Sequence, residues 1–82
     1  MESFKQYLLT QMINDEIISE EQAASYEEDD NLSVDTLFQD TDLEPYDLEN
    51  YVSQFREHCN AMGVSPDWDV EDLESAIGTP LN

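Results

Sequence analysis

Leu48, Tyr51, Val52, Phe55, Cys59 and Met62 follow one another at steps of three, one, three, four and three residues, and Gly63 comes directly after. That spacing puts all six on one face of a helix, and a glycine is the residue that most readily closes a helix in a left-handed turn. Pro45, whose fixed φ suits a first helical turn, marks the other end. The rest of the chain is short, so a helix over about 46–62 acts as the strut on which any core must be built.

Shorter helical patterns surround it. From Ser3 to Asn14, Phe4, Tyr7, Leu8, Met12 and Ile13 share one face with Leu9 at its flank. Ser19-Glu20-Glu21-Gln22 is a capping box, in which the serine oxygen accepts from the third helical amide and the glutamine reaches back. It opens a helix of about 20–28 with a thin apolar side of Ala23, Ala24 and Tyr26. Ser33 caps a third helix through Val34, Leu37 and Phe38 to about Asp40. After Ser65-Pro66, Asp67 or Asp69 is expected to cap a last helix carrying Val70, Leu73, Ala76 and Ile77, with Trp68 near its start and Gly78 and Pro80 as stops. No strand alternation, hairpin signal or internal repeat competes. The expected fold is all-α: a single domain, 1–82, of four to five short helices packed around 46–62.

The charge of this chain needs its own account. Asp and Glu number 21 against Lys5 and Arg56, a net of −19 over 82 residues. Self-repulsion of that size opposes compaction, but an apolar fraction of 39% with eight aromatic residues is enough to build a small core. Adaptation to high salt is the bland explanation; it does not require the loss of nearly every arginine, and Asn, Gln, Ile and Ser are plentiful. Nineteen of the acids lie in three segments, 15–30, 35–49 and 67–74, and the first contains Glu27-Glu28-Asp29-Asp30 in an unbroken run.

Several chemistries fit the residues poorly. Cys59 has no partner for an internal disulfide, no basic stretch followed by an apolar core marks a secretory signal, and no apolar run reaches the ~18 residues of a membrane span, so a cytoplasmic protein that does not act at membranes is expected. His58 and Cys59 occupy adjacent helical positions that point apart, whereas a zinc site gathers about four ligands. Asp29 through Asp40 places oxygen ligands at positions 1, 3, 5, 7 and 12 of a calcium-type loop, yet Val34 stands where such a loop needs glycine and Asp40 where it needs a bidentate glutamate. No metal or cofactor is expected. With two basic residues, one histidine and no glycine-rich loop, the chain offers few substrate-binding donors, and no enzymatic activity is expected.

Duplex DNA carries one charge per ~1.7 Å of axis, so 19 charges correspond to roughly 32 Å of duplex. A folded chain of this length has a diameter of about 30 Å. Carboxylates three or four residues apart on a helix stand ~5–6 Å from each other, and Glu16/Glu20, Glu20/Glu27/Glu28, Asp40/Glu44/Asp47 and Asp67/Glu71 approach that spacing wherever the chain is helical.

In size, acidity and near absence of Lys and Arg, the whole chain resembles the small DNA-mimic inhibitors of bacteriophages and mobile elements, among them antirestriction proteins, some anti-CRISPR proteins and inhibitors of DNA-repair glycosylases. The resemblance is one of composition rather than motif. It implies a non-enzymatic inhibitor that does not itself bind nucleic acid and that occupies the basic channel of a bacterial nucleic-acid-binding protein or complex. The expected contact surface is Glu27, Glu28, Asp29, Asp30, Asp35, Asp40, Asp42, Glu44 and Asp47, adjoined by Asp67, Asp69, Glu71 and Asp72, with Tyr26, Tyr46 or Trp68 as aromatic contacts. The alternative is an acidic adaptor for a basic protein surface that is not a nucleic-acid site.

Overall fold

A computed structural model describes residues 1–81. In chain order its elements are β1 (Glu2–Ser3), α1 (Phe4–Asn14), α2 (Glu20–Glu27), α3 (Val34–Asp40), α4 (Pro45–Met62), β2 (Pro66–Asp67) and α5 (Leu73–Ile77). The fold is mostly helical, and the starts of α1, α2 and α3 follow from the side chains that cap them. Ser3 accepts from the Gln6 amide at 3.2 Å and Ser33 from the Thr36 amide at 3.3 Å. The Ser19 box closes both ways: Gln22 donates its amide to Ser19 Oγ at 3.2 Å, and the Ser19 amide donates to Gln22 Oε1 at 3.1 Å. Pro45 stands in the first turn of α4.

The two long helices end alike from unlike residues. At Gly63 the backbone is left-handed, with φ +67°; its amide donates to Asn60 O, and that of Val64 reaches back to Cys59 O at 3.1 Å. Glu16 does the same after α1 with φ +61°, donating to Ile13 O while Ile17 donates to Met12 O at 2.8 Å. A non-glycine residue in this region is held at a cost of about 1–2 kcal/mol, which the burial of Ile18 just beyond the turn helps to offset.

One apolar cluster fills the centre. α4 contributes Leu48, Tyr51, Val52, Phe55 and Cys59; α1 contributes Phe4, Leu8, Leu9 and Met12; Val34, Leu37, Val70 and Leu73 close the far side. Phe4, Phe55 and Trp68 meet with ring centroids 5.2–5.4 Å apart, favourable tilted contacts that add to their burial. Leu9 is fully part of this core rather than at its flank. Met62, the last member of the α4 stripe, is 57% exposed because α4 ends there and nothing packs over it.

The C-terminal third departs from the expected pattern. Residues 67–72 are not helical, and α5 begins only at Leu73, after Asp72 in a left-handed conformation with φ +65°. Glu2 and Ser3 instead pair in parallel with Pro66 and Asp67, and the Glu2 amide donates to Ser65 O at 3.1 Å. Asp69 caps a different helix from the one beside it: its carboxylate accepts from Ser3 Oγ and, at 2.8 Å, from the Lys5 amide at the head of α1. Tertiary capping of the first helix wins over local capping of the last.

Candidate acidic interaction surface

The two cations determine what the 21 acids can do. Lys5 Nζ donates to the carbonyls of Glu27 at 3.0 Å and Asp29 at 3.2 Å, at the C-terminal end of α2. Backbone carbonyls without helical partners gather there, along with the negative end of the helix dipole. Arg56 donates to the carbonyls of Pro80 and Leu81 at 3.2 and 3.0 Å, with its guanidinium 5.7 Å from the Trp68 ring centre. Both cations are engaged by backbone. Among the described residues the one ion-pair contact joins His58 Nε2 to Glu2 Oε2 at 3.6 Å, and no Lys or Arg neutralises a carboxylate.

No Asp or Glu is buried; 17 are exposed, and Glu2, Asp47, Asp67 and Asp69 are half-buried. The molecule measures 31 × 24 × 23 Å. Spread along its 31 Å axis, the net charge has close to the linear density of duplex DNA, at about one charge per 1.7 Å.

The expected contact residues fall into four situations. Glu27, Glu28, Asp29 and Asp30 are exposed at the end of α2 and in the turn beyond it, where Asp29 Oδ1 accepts from the Asn31 amide at 3.0 Å. Asp35 lies in the first turn of α3 and Asp47 in that of α4, where helix N-termini favour negative charge; Asp40, Asp42 and Glu44 are exposed between them. Glu71 and Asp72 are exposed next to the first group because the chain at Glu71 bridges residues 32–34: Val34 donates to Glu71 O at 3.0 Å and Glu71 to Leu32 O at 2.8 Å. The acidic segments thus adjoin through a backbone bridge invisible in the residue pattern. Asp67 and Asp69 stand apart: Asp67 is half-buried in β2 beside Ser3, and the Asp69 carboxylate is occupied at the head of α1.

Helical spacing of the carboxylates is realised less widely than expected. Asp67 and Glu71 lie outside any helix, residues 41–44 break the Asp40/Glu44/Asp47 series, and Glu16 sits in the turn before α2. Glu44 with Asp47 at the head of α4 keeps it, whereas Glu20 and Glu27 share a face of α2 two turns apart, at about 10 Å. Equally exposed acids outside the expected set include Glu20, Glu21 and Glu49. The capping box already placed the first two on a solvated helix start.

Three tyrosines differ in their setting. Tyr46, 70% exposed, is surrounded in sequence by Glu44, Asp47 and Glu49. Tyr26 is half-buried and donates to Asp40 Oδ2 at 3.4 Å, joining α2 to α3; burial and then the Asp40 charge push its phenol up. Tyr51 is buried and donates to Asp15. Burial first, then that hydrogen bond and the charges of Asp15 and Asp47, push its phenol well up. Trp68 belongs to the aromatic cluster of the core, so of the three aromatic contacts expected Tyr46 alone is prominently exposed.

Other chemistries find no assembled site. Residues 34–40 form a helix where a calcium-type loop would have to wrap, and among the described residues no three His, Cys, Asp or Glu side chains converge as metal ligands. Cys59 is buried, and burial with the nearby Glu2 charge raises its thiol, which keeps it protonated. No described helix is long and apolar enough to cross a membrane. No protein-family model, curated protein or solved structure matches the chain.

Proposed function

We propose that this protein is a non-enzymatic DNA mimic that occupies the basic nucleic-acid-binding channel of a bacterial enzyme or defence complex, as an antirestriction or anti-CRISPR inhibitor of phage origin acting in the host cytoplasm. The supporting observation is the disposition of Lys5 and Arg56: both bind backbone carbonyls, so the surface charge stays uncompensated over a body 31 Å long. Complementary potential would speed encounter with a basic channel, and release of the channel's bound counterions would give inhibition a steep salt dependence. Tyr46, exposed at the head of α4, supplies an aromatic contact that slows dissociation.

The test reverses Glu28, Asp29, Asp30, Asp35 and Asp40 to Lys and measures inhibition of the target's DNA binding at two salt concentrations. The reading expects the variant to lose inhibition and the wild type to weaken as salt rises. Undiminished inhibition by the variant, or wild-type inhibition indifferent to salt, rejects it. An adaptor for a basic surface elsewhere on the partner is the second reading. It is favoured by the carboxylate spacing, which the fold interrupts at Glu16, at 41–44 and at 67–72, since an adaptor needs acidity but no phosphate-like spacing.

A further inference from the structure

α1 and α2 pack side by side and leave a groove of about 180 Å³ between them, lined by Gln6, Leu9, Thr10, Ile13, Ala23 and Glu27. Its floor is apolar: Leu9 and Ala23 are buried members of the core and Ile13 packs against them. Its rim is made of hydrogen-bond acceptors. Gln6 Nε2 donates to Glu27 Oε1 at 3.4 Å, which holds the carboxylate over α1 and leaves Glu27 Oε2 and the Gln6 amide oxygen for a further donor. Thr10 Oγ1 spends its hydrogen on the Gln6 carbonyl at 2.9 Å and so faces the groove as an acceptor. Glu20, three residues before Ala23, shares that face of α2.

An apolar trough with acceptors at its mouth suits a side chain with an alkyl stem and a cationic head. Arginine is preferred to lysine because its guanidinium is less strongly hydrated and presents several donors in a plane. At ~30 Å³ per water the groove of about 180 Å³ has room for about six waters, close to the seven heavy atoms of an arginine side chain from Cβ to the guanidinium nitrogens. Phosphate groups and acidic peptides meet the Glu27 carboxylate there, with one remaining Gln6 N–H as their donor. We propose that the α1–α2 groove receives one arginine side chain of a basic partner protein, its stem over Leu9, Ile13 and Ala23 and its guanidinium on Glu27. The proposal rests on the basic partner of the proposed function, and it adds a fixed anchoring point to a surface that otherwise attracts by diffuse charge.

The full-length protein, ¹⁵N-labelled in low salt, is titrated with n-propylguanidinium, with guanidinium and with 1-propanol while backbone amides are followed by NMR. The groove predicts saturable shifts at residues 6–13 and 23–27 with n-propylguanidinium, about tenfold tighter than with guanidinium, as half-burying three methylenes would give. 1-Propanol should be the weakest. Glu27→Gln, at an exposed position, should weaken both cations and bring n-propylguanidinium down towards 1-propanol, and Thr10→Leu, which fills the trough, should abolish the preference between the two cations, each keeping a dispersed spectrum. Identical diffuse shifts over all acidic segments with both cations, or n-propylguanidinium binding undiminished in Glu27→Gln, would overturn the proposal. Since the titration needs no target, its failure leaves the DNA-mimic reading standing. A positive titration alongside failed DNA displacement would instead describe an arginine-binding protein that is no mimic.

Discussion

The acidic run 27–30 and the acidic segment 67–74 look alike in sequence and are used differently. In the first, all four carboxylates are exposed and Lys5 binds the backbone carbonyls of Glu27 and Asp29 rather than the carboxylates. In the second, Asp69 is half-buried and caps α1, and the backbone of Glu71 ties the segment to residues 32–34. One region uses its carboxylates only in exposed contacts, from Gln6 to Glu27 and from the Asn31 amide to Asp29, and the other carries charge on which part of the fold depends. Composition alone therefore overstates the surface available to a partner.

The comparison breaks most easily at Asp69. Asp69→Ala should lose about 2 kcal/mol in urea unfolding, since a helix loses a cap and Ser3 Oγ and the Lys5 amide lose a charged acceptor, whereas Asp30→Ala should stay within about 0.5 kcal/mol. Equal losses would erase the distinction.

Asp15 is a second anchored carboxylate, held by Tyr51, and the Tyr51 phenol makes that contact sensitive to alkaline pH. The folded-state phenol titrates above its unfolded value near 10, so the folded protein holds the proton longer and stability declines as pH rises beyond about 10, by up to ~1.4 kcal/mol per pH unit. Below that pH the contribution is complete. Tyr51→Phe should flatten the alkaline slope without abolishing it, because Tyr7 and Tyr26 are also raised; an unchanged slope would remove Tyr51 from the account.

Lys5→Met should cost about 1 kcal/mol by leaving the α2 carbonyls without their cation. The loss should shrink as NaCl screens the acids above. A loss independent of salt would mean that packing of the lysine stem, rather than its charge, matters at that site. Smallest is the expected gain in Glu16→Gly, about 0.5–1 kcal/mol from relief of the left-handed residue after α1; a loss would show that Glu16 makes a favourable contact that its backbone conformation conceals.

Local signals explain how much of this was legible. Ser3, Ser19 and Ser33 act within three residues of themselves, and the α4 stripe spans four turns, so those helices and their starts could be read directly. The two-residue strands are too short to alternate, and Asp69 meets the Lys5 amide across 64 positions, so the β1–β2 pairing and the non-helical stretch 67–72 left no local trace. The same holds for the surface. The acidity was plain in the sequence, but the bridge at Glu71 that brings segments together, and the use of both cations on carbonyls, follow from tertiary contacts.

Whether uncompensated charge makes this protein a competitor of DNA is tested most directly by co-occupancy. A bacterial partner captured on the protein would be loaded with fluorescent duplex, and anisotropy followed as unlabelled protein is added at low and high salt. The account predicts complete displacement of the duplex, weakening steeply as salt rises. A stable ternary complex, with duplex anisotropy undiminished when the protein is bound, would contradict it and leave the adaptor reading in its place.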